Sequence, residues 1–251
     1  MPNWKQKLPC PGDKGEIPWV GRLDYQPASQ EKEPFVESLA LRGNAIGNST
    51  YHQMRFDRTR KAFHDYLALS DSLPPIDLQQ EIFRAYEPWL NSLPLDIRKR
   101  IENSQIAPLI KVRVVYGLHI SAIEFQIYTR PSYRWAIPIR VRDLKYRFKW
   151  NRRDMFDRFC SNLGPREYPI FILDGFLTDG LTANIVVSAN GKLITPHRPL
   201  LEGTMRQALL EKGLIQPAPI HEDSLFHGQA IMFINALNPL NTWTLQYQRN
   251  I

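Results

Sequence analysis

Cysteine is scarce in this chain: two thiols, Cys10 and Cys160, among 251 residues. Two cysteines cannot form a disulfide framework, and such low usage points to a reducing cytoplasm. No apolar run approaches the roughly 18–20 residues that a helical membrane span requires. The amino-terminal stretch MPNWKQKLPCPGDKGE lacks the apolar core of a secretion signal. Neither a G-x-S-x-G elbow nor a phosphate loop of the G-x-x-x-x-G-K type occurs. Six histidines, at 52, 64, 119, 197, 221 and 227, show no metal-ligand spacing with one another or with the cysteines. Zinc chemistry and a Cys/His nucleophile therefore have no support, and the histidines read as structural or solvated.

Hydrophobic residues at 43% and charged residues at 23% are ordinary for a globular protein and exclude a disordered chain. The balance of 32 Lys+Arg against 25 Asp+Glu gives a formal charge of +7, which suits an anionic ligand or plain solubility equally well. The length fits one large domain or two of roughly 100–130 residues.

Residues 1–34 are rich in proline, glycine and polar groups and read as an irregular arm. Pattern begins with an expected strand over 35–41 and a Gly43-Asn44 turn into Ala45-Ile46. A helix is expected from Ser49-Thr50 to about Leu69, with Met54, Phe56, Ala62, Phe63, Tyr66 and Leu67 on its apolar side. A proline-punctuated helical stretch follows from Asp77 to about Ile101. The period then changes. Lys111–Tyr116, Gly117 and Ile120–Tyr128 read as a β-hairpin. Thr129–Tyr133 is the candidate linker between a small α/β domain over 35–128 and a larger domain over 134–251. In the second half, strands are expected at 136–141, 168–173, 176–179, 184–189, 192–195, 230–234 and 243–247. Asp174-Gly175 and Asn190-Gly191 are the expected tight turns. Helices are expected around 155–163, ended by Gly164-Pro165, and over 203–212, closed by Gly213. The fold class is mixed α and β with more than one sheet.

Five blocks carry the chemistry. Tyr146-Arg147-Phe148-Lys149-Trp150-Asn151-Arg152-Arg153 sets a lysine in an alternating aromatic and basic stretch. Thirty residues on comes Leu177-Thr178-Asp179-Gly180-Leu181-Thr182-Ala183-Asn184-Ile185. Leu193-Ile194-Thr195-Pro196, Pro199-Leu200-Leu201-Glu202-Gly203-Thr204-Met205-Arg206 and Phe233-Ile234-Asn235-Ala236-Leu237 follow. In this order and spacing the blocks resemble the class IV aminotransferases, fold-type-IV enzymes that use pyridoxal 5'-phosphate (PLP) and include D-amino acid and branched-chain aminotransferases and aminodeoxychorismate lyase. The resemblance runs from Tyr146 to Leu237 and extends to Phe35-Val36-Glu37-Ser38 and Tyr51-His52-Gln53-Met54-Arg55-Phe56.

That resemblance implies a two-domain homodimer with the coenzyme between the domains, and an amino transfer between an amino acid and a 2-oxo acid through a lysine-bound Schiff base. It assigns Lys149 as the catalytic lysine, an amine whose proton loss Arg147, Arg152 and Arg153 would favour. Lys145 is the competing candidate, since Arg140–Arg153 holds seven basic residues. Asp179 matches the acidic group facing the pyridine nitrogen, although the family more often has glutamate there; a turn-capping aspartate is the plainer reading. Gly203, Thr204 and Met205 match the helix start that cradles the phosphate. Arg55 matches the arginine reaching the same phosphate, against the plainer reading of a surface arginine. Thr182, Asn184 and Asn235 complete the cofactor-binding set, and no metal is implied. Elimination giving 4-aminobenzoate and pyruvate, by an aminodeoxychorismate lyase of the same fold, is the first alternative. A basic nucleic-acid binder, with Tyr146, Phe148 and Trp150 as stacking groups, is the second, and a non-catalytic relative the third. Arg113, Arg130 and Arg134 stand unranked as ligands for a substrate carboxylate.

Overall fold

The computed structural model describes residues 34–103, 107–142, 144 and 146–248. The arm expected over 1–33, Cys10 and the competing Lys145 lie outside the described residues.

The first region is a four-stranded antiparallel sheet in the order β2-β1-β3-β4, formed by β1 (Phe35–Arg42), β2 (Ala45–Ile46), β3 (Ile110–Tyr116) and β4 (Ile120–Ile127). Strand alternation sorts its faces. Phe35, Leu39, Leu41, Ile110, Val112, Val114 and Tyr116 point one way, into a core shared with Phe56 and Phe63 of α1 (Ser49–Tyr66) and Ile82 of α2 (Leu78–Asn91). Val36 and Ser38 on β1 point the other way, as do Lys111 and Arg113 on β3; Ser38 sits opposite Arg113. The helical stretch expected over 77–101 is two helices, α2 and α3 (Leu95–Glu102), divided where Pro94 takes the extended conformation that begins α3. Asp77 opens α2 by accepting a hydrogen bond from the Gln80 N–H at 2.9 Å. The first helix is three residues shorter than expected, because Ala68 enters the left-handed region just past its end.

The second region is built on an eight-stranded sheet in the order β10-β9-β8-β11-β12-β5-β6-β7. Its strands are β5 (Trp135–Val141), β6 (Glu167–Leu173), β7 (Phe176–Gly180), β8 (Asn184–Ala189), β9 (Lys192–Pro196), β10 (Gln216–Ala218), β11 (Ala230–Ile234) and β12 (Thr244–Tyr247). One further pairing, Asp179 with Asn184, joins β7 to β8 and curls six of the strands into a barrel-like ring. The two expected tight turns hold: Asp174, Gly175, Asn190 and Gly191 all have positive φ, the conformation that two-residue hairpins require. The ring interior is filled by Tyr168, Ile170, Ile185, Phe233 and Trp243, among others. Gly180 leaves room for them, since a Cβ there would stand 2.5 Å from the Tyr168 ring. Helix α4 (Asp154–Cys160) stops four residues before Gly164, so that glycine does not end it. Helix α5 (Thr204–Glu211) runs from Gly203 to the Gly213 turn as expected. The short β10, with two exposed residues out of three, has too little apolar pattern to be read from sequence.

Candidate active site

The two regions meet along a seam made by the Lys149 segment. The Val36 N–H donates to the Lys149 carbonyl at 3.0 Å and the Asn151 N–H to the Pro34 carbonyl at 2.8 Å, while Phe35 and Trp150 form an antiparallel bridge. Phe35, Phe148 and Trp150 pack ring against ring at this junction. The seam sets the Lys149 side chain beside β1, where its Nζ donates to the Ser38 Oγ at 3.3 Å. Burial lowers the Lys149 amine from 10.5 to about 7, and the positive charges of Arg55 and Arg153 add to the effect. Arg153 was expected to act in this way; Arg147 and Arg152 do not. Arg147 lies over the Phe148 ring and Arg152 pairs with Asp154 at the surface.

Lys149 opens into a cavity of about 310 Å3 whose wall also holds Arg55, Asp179, Thr182, Asn184, Gly203, Thr204 and Asn235. All but one of the residues assigned from sequence to catalysis and coenzyme binding therefore converge. The exception is Met205, which does not line the cavity; its thioether faces the Asn48 amide at 3.7 Å and its side chain packs on the small cluster around Leu209 and Ile234. A larger groove of about 930 Å3 lies between α1 and the 71–79 segment and contains none of these residues.

Asp179 does not cap its own turn. It is 4% exposed; its Oδ1 accepts from the Asn184 Nδ2 at 2.7 Å and its Oδ2 from the Leu201 N–H at 2.9 Å. Burial raises its carboxyl to about 6, opposed by those two hydrogen bonds and by the charge of Arg206. The Asn184 amide also donates to the Leu201 carbonyl at 2.9 Å, so it ties the barrel ring to the loop leading into α5. Gly203, at the end of that loop, approaches so closely that a Cβ would stand 1.9 Å from the Asn184 Oδ1.

Arg55 is buried rather than on the surface. Its Nε and Nη2 fork onto the Glu37 carboxylate at 2.8 and 2.5 Å, and its Nη1 approaches the Glu202 carbonyl at 3.4 Å. Glu37 is fully buried; despite the cost of burial, Arg55 and His52 hold its carboxyl down at about 2. His52 bridges the two regions, with Nδ1 2.7 Å from Glu37 and Nε2 3.1 Å from the Thr204 hydroxyl. Glu37 was not foreseen as part of the site. Its one visible signal is a carboxylate in a run whose neighbours on the same face, Phe35, Leu39 and Leu41, are all core residues.

Thr182 and Asn235 hold the cavity rim. The Thr182 N–H donates to the Tyr168 hydroxyl at 2.6 Å; the Asn235 Oδ1 accepts from the N–H groups of Leu237 and Asn238, both at 2.9 Å. Of the three unranked arginines only Arg113 reaches the cavity wall. Arg130 donates to the Asn238 side chain at 2.9 Å, and Arg134 lies over the Trp135 ring. The aromatic groups of a nucleic-acid stacking platform are engaged within the fold: Tyr146 is buried, and the half-buried Phe148 and Trp150 are packed at the seam. No cluster of metal-ligating side chains exists among the described residues, nor does any described helix have the length and apolarity to cross a membrane.

The sequence profile of the family described as Amino-transferase class IV matches residues 139–241. A Haemophilus influenzae protein described as uncharacterized is 27% identical over 207 residues, covering 82% of this chain and 99% of its own. A crystal structure from Haemophilus somnus, provisionally designated a 4-amino-4-deoxychorismate lyase, superposes with a TM-score of 0.67 at 26% identity, covering 83% of this chain and 98% of that one. A hypothetical aminotransferase from Mycobacterium tuberculosis, in a form bound to α-ketoglutarate and PMP, shares the fold with a TM-score of 0.62 at 18% identity, over 93% and 87% of the two chains. Over residues 139–241 this chain matches the class IV aminotransferase family, and over most of its length it has fold-type-IV architecture.

Proposed function

We propose that the chain is a pyridoxal phosphate enzyme that transfers amino groups between an amino acid and a 2-oxo acid. The observation that carries this reading is the meeting, in one cavity, of an amine held near 7, a buried carboxylate, and a helix start flanked by a guanidinium. The residues fit the coenzyme. The Tyr146 hydroxyl and the Trp243 indole N–H are buried on residues of the cavity wall with no hydrogen-bond partner among the described residues, the kind of unmet polar group that a bound molecule satisfies. The PLP-bound form of the Mycobacterium tuberculosis protein, which shares the fold at 18% identity and a TM-score of 0.60, adds support.

When bound, the coenzyme supplies an electron sink for the bond broken at the substrate Cα. Gly203 and Thr204 offer N–H groups at the start of α5 to its phosphate, and Arg55 contributes the Nη1 that Glu37 does not occupy. Asp179 holds the proton of the ring nitrogen, with the Asn184 amide and the Leu201 N–H fixing the carboxylate. Thr182 and Asn235 shape the rim. Lys149 supplies the tethering amine, and its Nζ takes the proton from the substrate Cα; near pH 7 about half of such amines are unprotonated and able to accept one. A homodimer, which the family resemblance implies, belongs to the same reading.

Reduction with borohydride followed by peptide mapping tests the assignment. The expected result is a visible absorbance band that borohydride abolishes and a pyridoxyl group on Lys149. A colourless protein that takes up no coenzyme, or an adduct on Lys145, overturns it. Similarity to the Haemophilus somnus structure favours the lyase as a second reading. That reaction gives 4-aminobenzoate from aminodeoxychorismate with no amino acceptor present, whereas a transaminase requires one.

A further inference from the structure

The histidine that joins the two regions has no role in the scheme above. His52 is fully buried, with its ring between Glu37 of β1 and Thr204 of α5. The protons on this ring can be counted. Glu37 is ionised and only accepts, so Nδ1 carries a proton and donates to it. Nε2 then has two states. Without a proton it accepts from the Thr204 hydroxyl, which has nothing left to donate. With a proton it donates to the Thr204 oxygen, and the hydroxyl proton is free to turn into the cavity that Thr204 lines. The charged groups facing the ring are Glu37 from β1, Arg55 from its own helix and Lys149 from the seam. Burial keeps the ring below its ordinary 6.5; Glu37 opposes this, and Arg55 and Lys149 add to it. Tyr116 of β3 and Tyr146, which face Glu37 and Arg55, stay neutral because burial raises their hydroxyls. The Glu202 carboxylate, in the loop before α5, is turned away to Arg58 at the surface.

A phosphate group at Gly203-Thr204 changes the balance. Glu37 and Arg55 cancel, so with a neutral ring this buried trio offers a dianion no net charge. The start of α5 adds only about half a positive charge. A proton on Nε2 supplies a full charge one hydroxyl away, and it converts the Thr204 hydroxyl from a donor to histidine into a donor to phosphate. We infer that His52 is a positioning residue for phosphate: it takes up one proton when a phosphate dianion binds at the start of α5, and it passes the hydrogen bond on through Thr204. The proton comes from solvent and forms the Nε2–H bond; no bond in the protein breaks. The inference rests on the proposed function for the place of the coenzyme phosphate. It makes coenzyme affinity depend on pH through a residue that lies behind the cavity wall.

Ring-nitrogen NMR of the full chain with labelled histidine tests it, the His52→Asn spectrum assigning the signals. The probes are pyridoxine 5'-phosphate, whose alcohol cannot bond to Lys149, and inorganic phosphate. At about pH 8 a phosphate monoester is already a dianion, so any proton taken up goes to the protein. The His52 Nε2 is expected to be unprotonated in the free protein and protonated in the complex. Affinity for pyridoxine 5'-phosphate should weaken by up to about tenfold per unit of pH above this point, the slope of one linked proton. His52→Asn, whose amide can still donate to Glu37, should flatten that slope. Thr204→Ser should keep the uptake and Thr204→Val should abolish it. An Nε2 that stays unprotonated while the probe binds, with or without a proton gained at Lys149, overturns the inference and leaves the coenzyme reading standing. Uptake at Nε2 that survives in folded Thr204→Val overturns it as well. If pyridoxine 5'-phosphate fails to bind while inorganic phosphate protonates Nε2, the coenzyme reading falls and the proton-linked phosphate site stands. No response to either probe overturns both.

Discussion

The amide of Asn184 donates to the carboxylate of Asp179 at 2.7 Å across the one backbone pairing that joins β7 to β8. Closure of the sheet and orientation of the buried acid are therefore one interaction. Removing the amide by Asn184→Ala strips a donor from Asp179 and leaves the Leu201 carbonyl without its partner. A loss of about 2–3 kcal/mol in denaturant unfolding is expected, with the Asp179 carboxyl rising further above about 6. A loss below about 0.5 kcal/mol would show that the bond is dispensable.

Gly203→Ala places a methyl group on the Asn184 oxygen, which is not the end of a free side chain but one held from both sides. Overpacking of about 1–3 kcal/mol is expected, together with weaker coenzyme uptake, measured as the absorbance recovered after dialysis. An unchanged melting temperature with full uptake would contradict the close approach.

Glu37 gives a pH signature at the acid end. Its carboxyl titrates at about 2 in the fold against 4.5 ordinarily. Its contribution is therefore complete above 4.5 and disappears as pH falls from there towards 2, a swing of about 3 kcal/mol. Glu37→Gln should lack this swing and also lose several kcal/mol at neutral pH, because the Arg55 charge is left buried without its partner. Parallel acid-unfolding curves for the two proteins would remove Glu37 from this role.

Lys149 has the opposite signature at the alkaline end. A lysine lowered to about 7 costs the fold most below that pH, where both folded and unfolded states are protonated. The cost shrinks as pH rises from about 7 towards 10.5, where the unfolded chain alone still holds the proton. In the coenzyme-free protein, Lys149→Met should thus be more stable than the parent by at least about 1 kcal/mol at pH 6.5, with the difference fading by pH 10. The variant should also lose the borohydride-sensitive adduct completely.

Much of the site was readable because its residues sit in short blocks whose local structure is fixed by nearby signals. Asp179, Gly180 and Asn184 share one strand-turn-strand block, and Gly203-Thr204 open a helix that Gly213 ends. The hairpin turns at 174–175 and 190–191 followed from their Asp-Gly and Asn-Gly pairs for the same reason. Contacts that exist only after folding were not readable. The chain Arg55–Glu37–His52–Thr204 draws on a strand, a helix and a second helix, and nothing in the local pattern of any one of them names the others. Arg113 could not be ranked above Arg130 and Arg134 until strand register set it opposite Ser38. Met205 illustrates a different limit: its neighbours in sequence line the cavity, but the helical turn rotates its side chain away to Asn48 and the Leu209 cluster.

The two main-chain bonds that run from Val36 to Lys149 and from Asn151 to Pro34 have a consequence for dissecting the molecule. They fasten the reactive amine to a strand more than a hundred positions earlier in the chain. A cut within 129–133 would leave each fragment with one edge of this zipper, and neither edge has another match among the described strands. Fragments 34–131 and 132–251 made separately should therefore be inert, and mixing them should restore coenzyme capture by reannealing along that line.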